Sequence, residues 1–246
     1  MEAVGHKIIT MPSTDGKLTP ADVDAAIAAN GHFPHMARPR MVYISNATEF
    51  GTVYSLDELT ALRETCTNHR LLLLIDGARL GVALASERAQ GMTLADIAHF
   101  ADIFWIGGTK AGTLFGEAIV IPNEALADDF EFHIKQRGAL LAKGRSLGVQ
   151  FRILFSDGLF ESASNHANAT ASMLAQGIVA NGFELAAETE SNQVFAILPN
   201  TVIAALQEQF SFYVWEPLSE DRSVVRLVTS WATASDQVDR FIAALS

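Results

Sequence analysis

Two oppositely charged residues follow apolar runs in the first half of the sequence. Asp76 ends the run LLLLID at 71–76, and Lys110 comes shortly after the run DIFWIG at 102–107. A carboxylate at the end of a buried strand is half-buried and needs a partner. Taken alone, Asp76 is interpreted as a turn residue before Gly77. Lys110 alone is interpreted as a surface lysine of a glycine-rich loop, whose glycines let the backbone approach a ligand closely.

Considered as a pair, Asp76 and Lys110 suit one cofactor. Pyridoxal phosphate needs a lysine amine for its aldehyde and an acid that faces its pyridinium nitrogen. A lysine amine attacks an aldehyde only when it is deprotonated, and burial near another cation lowers its pKa. A carboxylate keeps the ring nitrogen protonated, so that the ring can accept electrons from Cα. The pair therefore predicts a pyridoxal phosphate site.

Strands that alternate with helices must position this pair. Strands are predicted at 6–12, 41–45, 71–76, 102–107 and 117–122, and helices at 19–30, 55–69 and 93–100. Alternation of this kind with nearly continuous apolar strands predicts an α/β fold, a three-layer structure with a mostly parallel sheet covered on both faces. Ligands of such sheets bind beyond the carboxyl ends of the strands. Three segments lie there, namely SNATE, DGAR and GGTK.

The second half of the chain has a different pattern. A helix is predicted over 124–150, and further helices at 163–180, 201–210 and 235–245 surround short strands at 194–199 and 224–230. This pattern is α+β. We therefore expect residues 1–150 to form a large cofactor-binding domain that ends in a bridging helix. Residues 151–246 are expected to form a small C-terminal domain.

Three segments carry a resemblance to a known family. They are SNATEFGTVYSLDEL at 45–59, DGARL at 76–80 and GGTKAGTLFGEAIVI at 107–121. Together they resemble the large-domain core of pyridoxal-phosphate enzymes with the aspartate aminotransferase fold. The closer resemblance is to the threonine aldolase and β-eliminating lyase group, and it runs from residue 6 to the C-terminus.

The resemblance implies roles for five residues. Lys110 matches the Schiff-base lysine, and Asp76 matches the partner of the pyridine nitrogen. Arg79 resembles an arginine near the phenolic oxygen of the cofactor and the substrate carboxylate, and Thr109 resembles a hydroxyl that helps to seat the cofactor. Arg226 resembles the arginine that clamps the α-carboxylate, which a guanidinium binds bidentately. Without the resemblance, Arg226 is equally well a strand arginine that faces solvent.

Other polar residues are weaker candidates. Asn46, Thr48 and Glu49 follow the strand at 41–45, where family members place polar residues near the cofactor. Lys135, Arg137 and Lys143 are interpreted as a solvated helix face rather than as contacts to the cofactor phosphate of a neighbouring subunit. His166 is interpreted as a surface or helix-packing histidine rather than as a base. The seven histidines show no metal-ligand spacing, so no metal is predicted.

Composition excludes several classes of protein. The 246 residues are 49% hydrophobic and 18% charged, which is typical of a folded globular chain. The net charge of −11 disfavours binding to nucleic acid or to anionic membranes. The single cysteine, Cys66, is interpreted as a packing residue and excludes an intrachain disulfide. The apolar run at 71–75 is too short to span a bilayer and no signal peptide is recognised, so a cytoplasmic protein is expected.

The resemblance implies a lyase of the threonine aldolase type. It would cleave β-hydroxy-α-amino acids such as threonine or allo-threonine to glycine and an aldehyde, as a homodimer or homotetramer. Because Asp76 and Lys110 serve β-elimination, transamination and desulfuration equally well, these reactions stay open. A chain without catalytic activity also stays open. Family members have a glycine-rich phosphate turn ahead of the region that matches residue 6 onward, so we expect this chain to bind the cofactor weakly or not at all.

Overall fold

The computed structural model describes residues 1–245, and within them four strands form a first sheet. These are β1 (Met41–Ser45), β2 (Leu72–Asp76), β3 (Ile103–Gly107) and β4 (Glu117–Val120), in the order β1-β2-β3-β4. β1, β2 and β3 are parallel, whereas β4 is antiparallel to β3. The loop at 108–116 joins β3 to β4, and a parallel return would need a longer crossover of about a dozen residues or more. The mostly parallel sheet is therefore confirmed, with one antiparallel edge.

Four helices accompany this sheet, and three of them begin with the same cap. They are α1 (Pro20–Ala29), α2 (Leu56–His69), α3 (Leu80–Leu84) and α4 (Leu94–Phe100). Thr19, Ser55 and Thr93 each form a capping box with an acidic residue three positions on, which satisfies backbone N–H groups at the helix start. α2 packs against β2, and α3 and α4 pack against β3.

The middle of the chain is helical but not one helix. It forms α5 (Glu124–Ala127), α6 (Phe130–Gln136), α7 (Arg145–Leu154) and α8 (Leu159–Ala180). The continuous helix predicted over 124–150 is therefore wrong. Asp129 and Gly138 adopt positive φ angles of 60° and 72°, which a right-handed helix cannot contain.

The last part of the described chain contains a second sheet. Its strands are β5 (Glu184–Leu185), β6 (Gln193–Pro199), β7 (Tyr213–Pro217) and β8 (Arg222–Val228), all antiparallel in the order β5-β6-β8-β7. α9 (Asn200–Gln207) and α10 (Ser235–Ala243) complete this part. The predicted α+β pattern is confirmed, although β5 and β7 were not predicted.

Two apolar clusters hold these parts together. The first lies around β1–β3 and includes Phe160 of α8, whereas the second lies around β6 and β8 and includes Ala171 and Ile178 of the same helix. α8 therefore connects the two clusters. A domain boundary near residue 150 stays a prediction.

The strand predicted at 6–12 is wrong. Its backbone pairs with none of the strands formed by residues 1–245, and Ile8 is exposed. An apolar run forms a strand only where a neighbour accepts its backbone hydrogen bonds.

Within the described chain, no helix combines the length and apolarity needed to cross a membrane.

Candidate functional site

The carboxyl ends of β1, β2 and β3 meet at one edge of the first sheet. Asp76 is the last residue of β2 and is paired with Ser45, the last residue of β1. The N–H of Gly107, at the end of β3, donates to the carbonyl of Gly77 at 2.8 Å. Lys110 follows three residues later on an exposed turn. The turn that follows Asp76 and the turn that contains Lys110 therefore lie next to each other, as predicted.

Two hydrogen bonds hold the Asp76 carboxylate. Oδ1 accepts from the backbone N–H of Ala78 at 2.9 Å, and Oδ2 accepts from the hydroxyl of Tyr43 at 2.5 Å. Burial, and then the hydrogen bond and charge of Asp76, raise the pKa of the Tyr43 hydroxyl. Tyr43 therefore stays a donor to Asp76. Sequence reasoning missed Tyr43, although the strand register places it diagonally opposite Asp76 on the same face of the sheet.

The surroundings of Lys110 in the protein favour its uncharged form more strongly than water does. Partial burial, followed by the positive charge of Arg79, lowers the pKa of Lys110 from its ordinary 10.5. The charges of Glu49, Asp76 and Glu117 act in the opposite direction. Lys110 and Arg79 line one cleft together with α8 and Asn192, which directly precedes β6. Both sheets thus contribute to the surroundings of the lysine.

Glycine is required where the two turns touch. A Cβ on Gly77 would lie 1.8 Å from the carbonyl oxygen of Trp105, and one on Gly107 would lie 2.1 Å from that of Ala78. Both distances are far below van der Waals contact. The sequence predicted that glycines around Lys110 allow close approach to a ligand. At Gly107 the close approach is instead between the turn of Asp76 and the turn of Lys110.

Two arginines face each other across the sheets. Arg79 follows the turn after β2, and Arg226 lies on β8; their side chains are 9% and 14% exposed. Burial, with the charge of Arg226 adding to it, lowers the pKa of Arg79. The guanidinium of Arg226 also lies over the ring of Trp215, 5.2 Å from its centroid. A pair of mostly buried cations of this kind can bind a carboxylate.

Glu49 lies between these arginines. Its Oε1 is 3.7 Å from Nη1 of Arg79, and its Oε2 is 3.8 Å from Nη2 of Arg226. Within the part of the chain that the structure describes, Nε of Arg226 is buried and has no hydrogen-bond acceptor. Sequence analysis placed Glu49 near the cofactor but did not anticipate this bridge.

The remaining candidates lie outside the cleft or serve the fold. The Thr48 hydroxyl bonds the Thr52 hydroxyl at 2.7 Å, and the side-chain oxygen of Asn46 accepts from the Tyr54 N–H. Thr109 is exposed beside Lys110. Lys135, Arg137 and Lys143 are exposed, and their interpretation as a solvated helix face stays a prediction. Cys66 is buried, as expected of a packing residue, and burial raises the pKa of its thiol to about 11. His166 is exposed and contacts the carbonyl of Thr233 at 2.7 Å.

The arrangement fits the ring and aldehyde of pyridoxal phosphate. It combines an oriented carboxylate on Asp76, an amine on Lys110 whose pKa is lowered, and two cations that can take a carboxylate. The carboxylate and the amine are the groups that the chemistry of this cofactor requires from a protein.

Fold comparison defines the class of protein first. The chain matches a solved threonine aldolase from Leishmania major with a TM-score of 0.96 and 48% identity, covering 99% of this chain and 71% of that one. It also matches N-succinyldiaminopimelate aminotransferase from Mycobacterium tuberculosis with a TM-score of 0.65 and 19% identity, over 96% of this chain and 63% of that one, which shows the fold alone. The chain thus has the α/β fold of pyridoxal-phosphate-dependent transferases, as predicted.

Sequence comparison then defines the family. The family model for β-eliminating lyases matches residues 1–211, so the chain belongs to the β-eliminating lyase family. A low-specificity L-threonine aldolase of Pseudomonas sp. (strain NCIMB 10558) is 37% identical over 239 residues, covering 95% of this chain and 66% of that protein. The chain therefore spans just under two thirds of this relative's length. The resemblance found in the sequence is confirmed, and pyridoxal phosphate is the cofactor of this family.

Proposed function

We propose that this chain carries the catalytic core of a threonine aldolase that depends on pyridoxal phosphate. The reaction is cleavage of the Cα–Cβ bond of a β-hydroxy-α-amino acid, such as threonine or allo-threonine, to glycine and an aldehyde. The observation that carries the proposal is that Asp76, Lys110 and Arg79 gather at one edge of the first sheet, with Arg226 of the second sheet beside Arg79. Similarity to the Leishmania and Pseudomonas enzymes supports this choice of reaction.

Asp76 is proposed to hold a proton at the ring nitrogen of the cofactor. Pyridoxal phosphate, when bound, supplies an electron sink for the charge that develops at Cα. The bonds from Tyr43 and Ala78 fix the carboxylate in one orientation, so its charge stays directed at one place. A carboxylate near the ring nitrogen favours the protonated ring because opposite charges within a few ångströms stabilise each other.

Lys110 is proposed to be the residue whose amine would hold the cofactor through its aldehyde group. An ammonium has no free lone pair, so the amine must lose a proton first. Partial burial and the charge of Arg79 make that loss easier than it is for a lysine in water. The same amine can later accept or donate a proton at Nζ, since its pKa lies closer to neutrality than usual.

Arg226 and Arg79 are proposed to hold the α-carboxylate of the substrate. Arg79 lies at the start of α3, beside the first sheet, and Arg226 lies on β8 of the second sheet, so a carboxylate between them is held from two sides. A carboxylate fixed in this way limits rotation about the Cα–carboxyl bond, and the bond that breaks is selected by orientation. This assignment also explains why two cations are kept close together despite their repulsion.

Product analysis tests the reaction class. The purified chain is incubated with pyridoxal phosphate and either L-threonine or L-allo-threonine, with the Lys110→Ala variant as control. Glycine and acetaldehyde in equal amounts, absent in the variant, are the expected products. Formation of 2-oxobutanoate and ammonia would instead indicate β-elimination. A folded chain that forms neither set of products would support a non-catalytic chain.

Assembly as a homodimer or homotetramer and a cytoplasmic location stay predictions. Light scattering after size-exclusion chromatography tests the oligomeric state.

A further inference from the structure

Glu49 places its carboxylate between the two arginines. Its two oxygens approach one guanidinium each, at 3.7 Å and 3.8 Å, while the carboxylate itself is 59% exposed. These distances exceed the length of a charge-assisted hydrogen bond, which is about 2.7–2.9 Å. Glu49 therefore balances charge without occupying the hydrogen-bond donors of the arginines, and Nε of Arg226 has no acceptor in the described chain.

The backbone around Glu49 is held on both sides. The carbonyl of Thr48 accepts from the Gln193 amide at 3.0 Å, and the carbonyl of Gly51 accepts from the Ser191 hydroxyl at 2.7 Å. The N–H of Val53 donates to the Glu190 carboxylate at 2.6 Å. Glu190 and Ser191 lie just before β6, and Gln193 is the first residue of that strand. The main chain of this loop is therefore tied to the second sheet.

The neighbour of Glu49 reaches the arginine site as well. Phe50 contacts the ring of Trp215, with centroids 6.1 Å apart, and Trp215 covers the guanidinium of Arg226. With its backbone held and the next residue packed, Glu49 can move only through its side chain. That side chain has solvent on its open side, so rotation would carry the carboxylate away from both arginines without disturbing the loop.

We propose that Glu49 is a built-in counter-ion of the substrate-carboxylate clamp, displaced when an α-carboxylate binds between Arg79 and Arg226. This inference rests on the proposed function of the two arginines. Before binding, Glu49 lowers the repulsion between the two cations. On binding, the incoming carboxylate takes the free hydrogen-bond donors, and the Glu49 side chain turns to solvent. Glu49 thus acts as a positioning and affinity-setting residue that competes with every carboxylate ligand of the clamp.

Carboxylate binding to the chain tests this competition without the reaction. Acetate is the probe, titrated at constant ionic strength against chloride, with the dissociation constant read from calorimetry or thermal shift. Glu49→Gln is expected to bind acetate about fivefold more tightly, the upper range for a partly exposed ion pair. Glu184→Gln is the matched control, because it removes an exposed glutamate that pairs with Arg222 on the second sheet. Its acetate affinity should not change.

A variant that keeps the negative charge distinguishes displacement of the Glu49 carboxylate from a general electrostatic effect of its charge. Glu49→Asp keeps the negative charge but shortens the reach toward the arginines. Displacement predicts that this variant also binds acetate more tightly than the parent chain. Unchanged affinity in Glu49→Asp, or unchanged or weaker affinity in Glu49→Gln, would overturn the inference.

Arg226→Ala distinguishes failure of this inference from failure of the clamp. If acetate binding does not depend on Arg226, the proposed carboxylate site itself is wrong. If the affinity for acetate falls in Arg226→Ala but is unchanged in Glu49→Gln, the carboxylate clamp is supported and the counter-ion role of Glu49 is overturned. Circular dichroism confirms in each case that the variant is folded.

Discussion

Tyr43 of β1 donates a 2.5 Å hydrogen bond to Asp76 at the end of β2. The two residues are far apart in sequence, but the parallel register places both on one face of the sheet. The bond leaves Asp76 fixed by two donors, one from a side chain and one from the backbone of Ala78. An acid that must face one ring nitrogen needs this kind of support, because a freely rotating carboxylate would spread its charge over many positions.

Tyr43→Phe tests this support. The substitution removes one hydrogen bond to a charged group, so we expect turnover to fall about tenfold, as for a loss of about 1.5 kcal/mol. Cofactor content should change little, because the phenyl ring still fills the space. Steady-state kinetics with L-threonine and the absorbance of bound cofactor measure the two effects. Tyr213→Phe, at an exposed tyrosine, is the control. Unchanged turnover in Tyr43→Phe would contradict the role given to this bond.

Gly107→Ala tests the contact between the two turns. A Cβ at this position would lie 2.1 Å from the Ala78 carbonyl oxygen, so the turns must separate. We expect a loss of about 3 kcal/mol in the free energy of unfolding, measured by urea denaturation. Gly148→Ala is the matched control, since a Cβ there meets no atom within 4 Å. Equal stability of the two variants would show that the turns have room to adjust.

The pH dependence of Lys110 reactivity tests its electrostatics. Burial and the charge of Arg79 lower its pKa, so covalent labelling by pyridoxal phosphate and borohydride should rise at lower pH than for an ordinary lysine. Removal of a positive charge in Arg79→Gln raises the pKa, and the midpoint of labelling should shift to higher pH. Arg63→Gln, which removes an arginine that pairs with Asp102, should leave the midpoint unchanged. A shift to lower pH in Arg79→Gln would contradict the assignment.

Arg226→Ala tests the carboxylate clamp in the reaction. The variant should mainly raise the KM for the amino acid, because the guanidinium binds a group that does not change during bond cleavage. Arg222→Ala alters the same strand, where Arg222 pairs with Glu184, and should leave KM unchanged. Both values come from steady-state kinetics with L-threonine. If KM does not change in Arg226→Ala, the substrate carboxylate is bound elsewhere.

The sequence contains enough information to predict the meeting of Asp76 and Lys110. Both follow apolar runs, and the carboxyl ends of parallel strands lie at one edge of a sheet. Tyr43 could have been found from the same register, since it lies two positions before the partner of Asp76.

Other features depend on tertiary packing, which local sequence patterns do not predict. Arg226 reaches Arg79 only because α8 and the second sheet dock beside the first, and no local pattern encodes that distance. The strand predicted at 6–12 failed for a related reason, since pairing depends on a neighbour. The helix predicted over 124–150 failed because Asp129 and Gly138 take left-handed conformations that apolar patterning cannot reveal.

Borohydride reduction shows directly whether Lys110 reacts with the cofactor. Because weak binding of the cofactor is expected, the purified chain is mixed with an excess of pyridoxal phosphate. It is then reduced and digested, and the modified peptide is identified by mass spectrometry. We expect one dominant adduct on Lys110, lost in Lys110→Ala and retained in Lys135→Ala, which changes an exposed lysine outside the cleft. Adducts spread evenly over the lysines of a folded chain, or an undiminished dominant adduct in Lys110→Ala, would contradict this expectation.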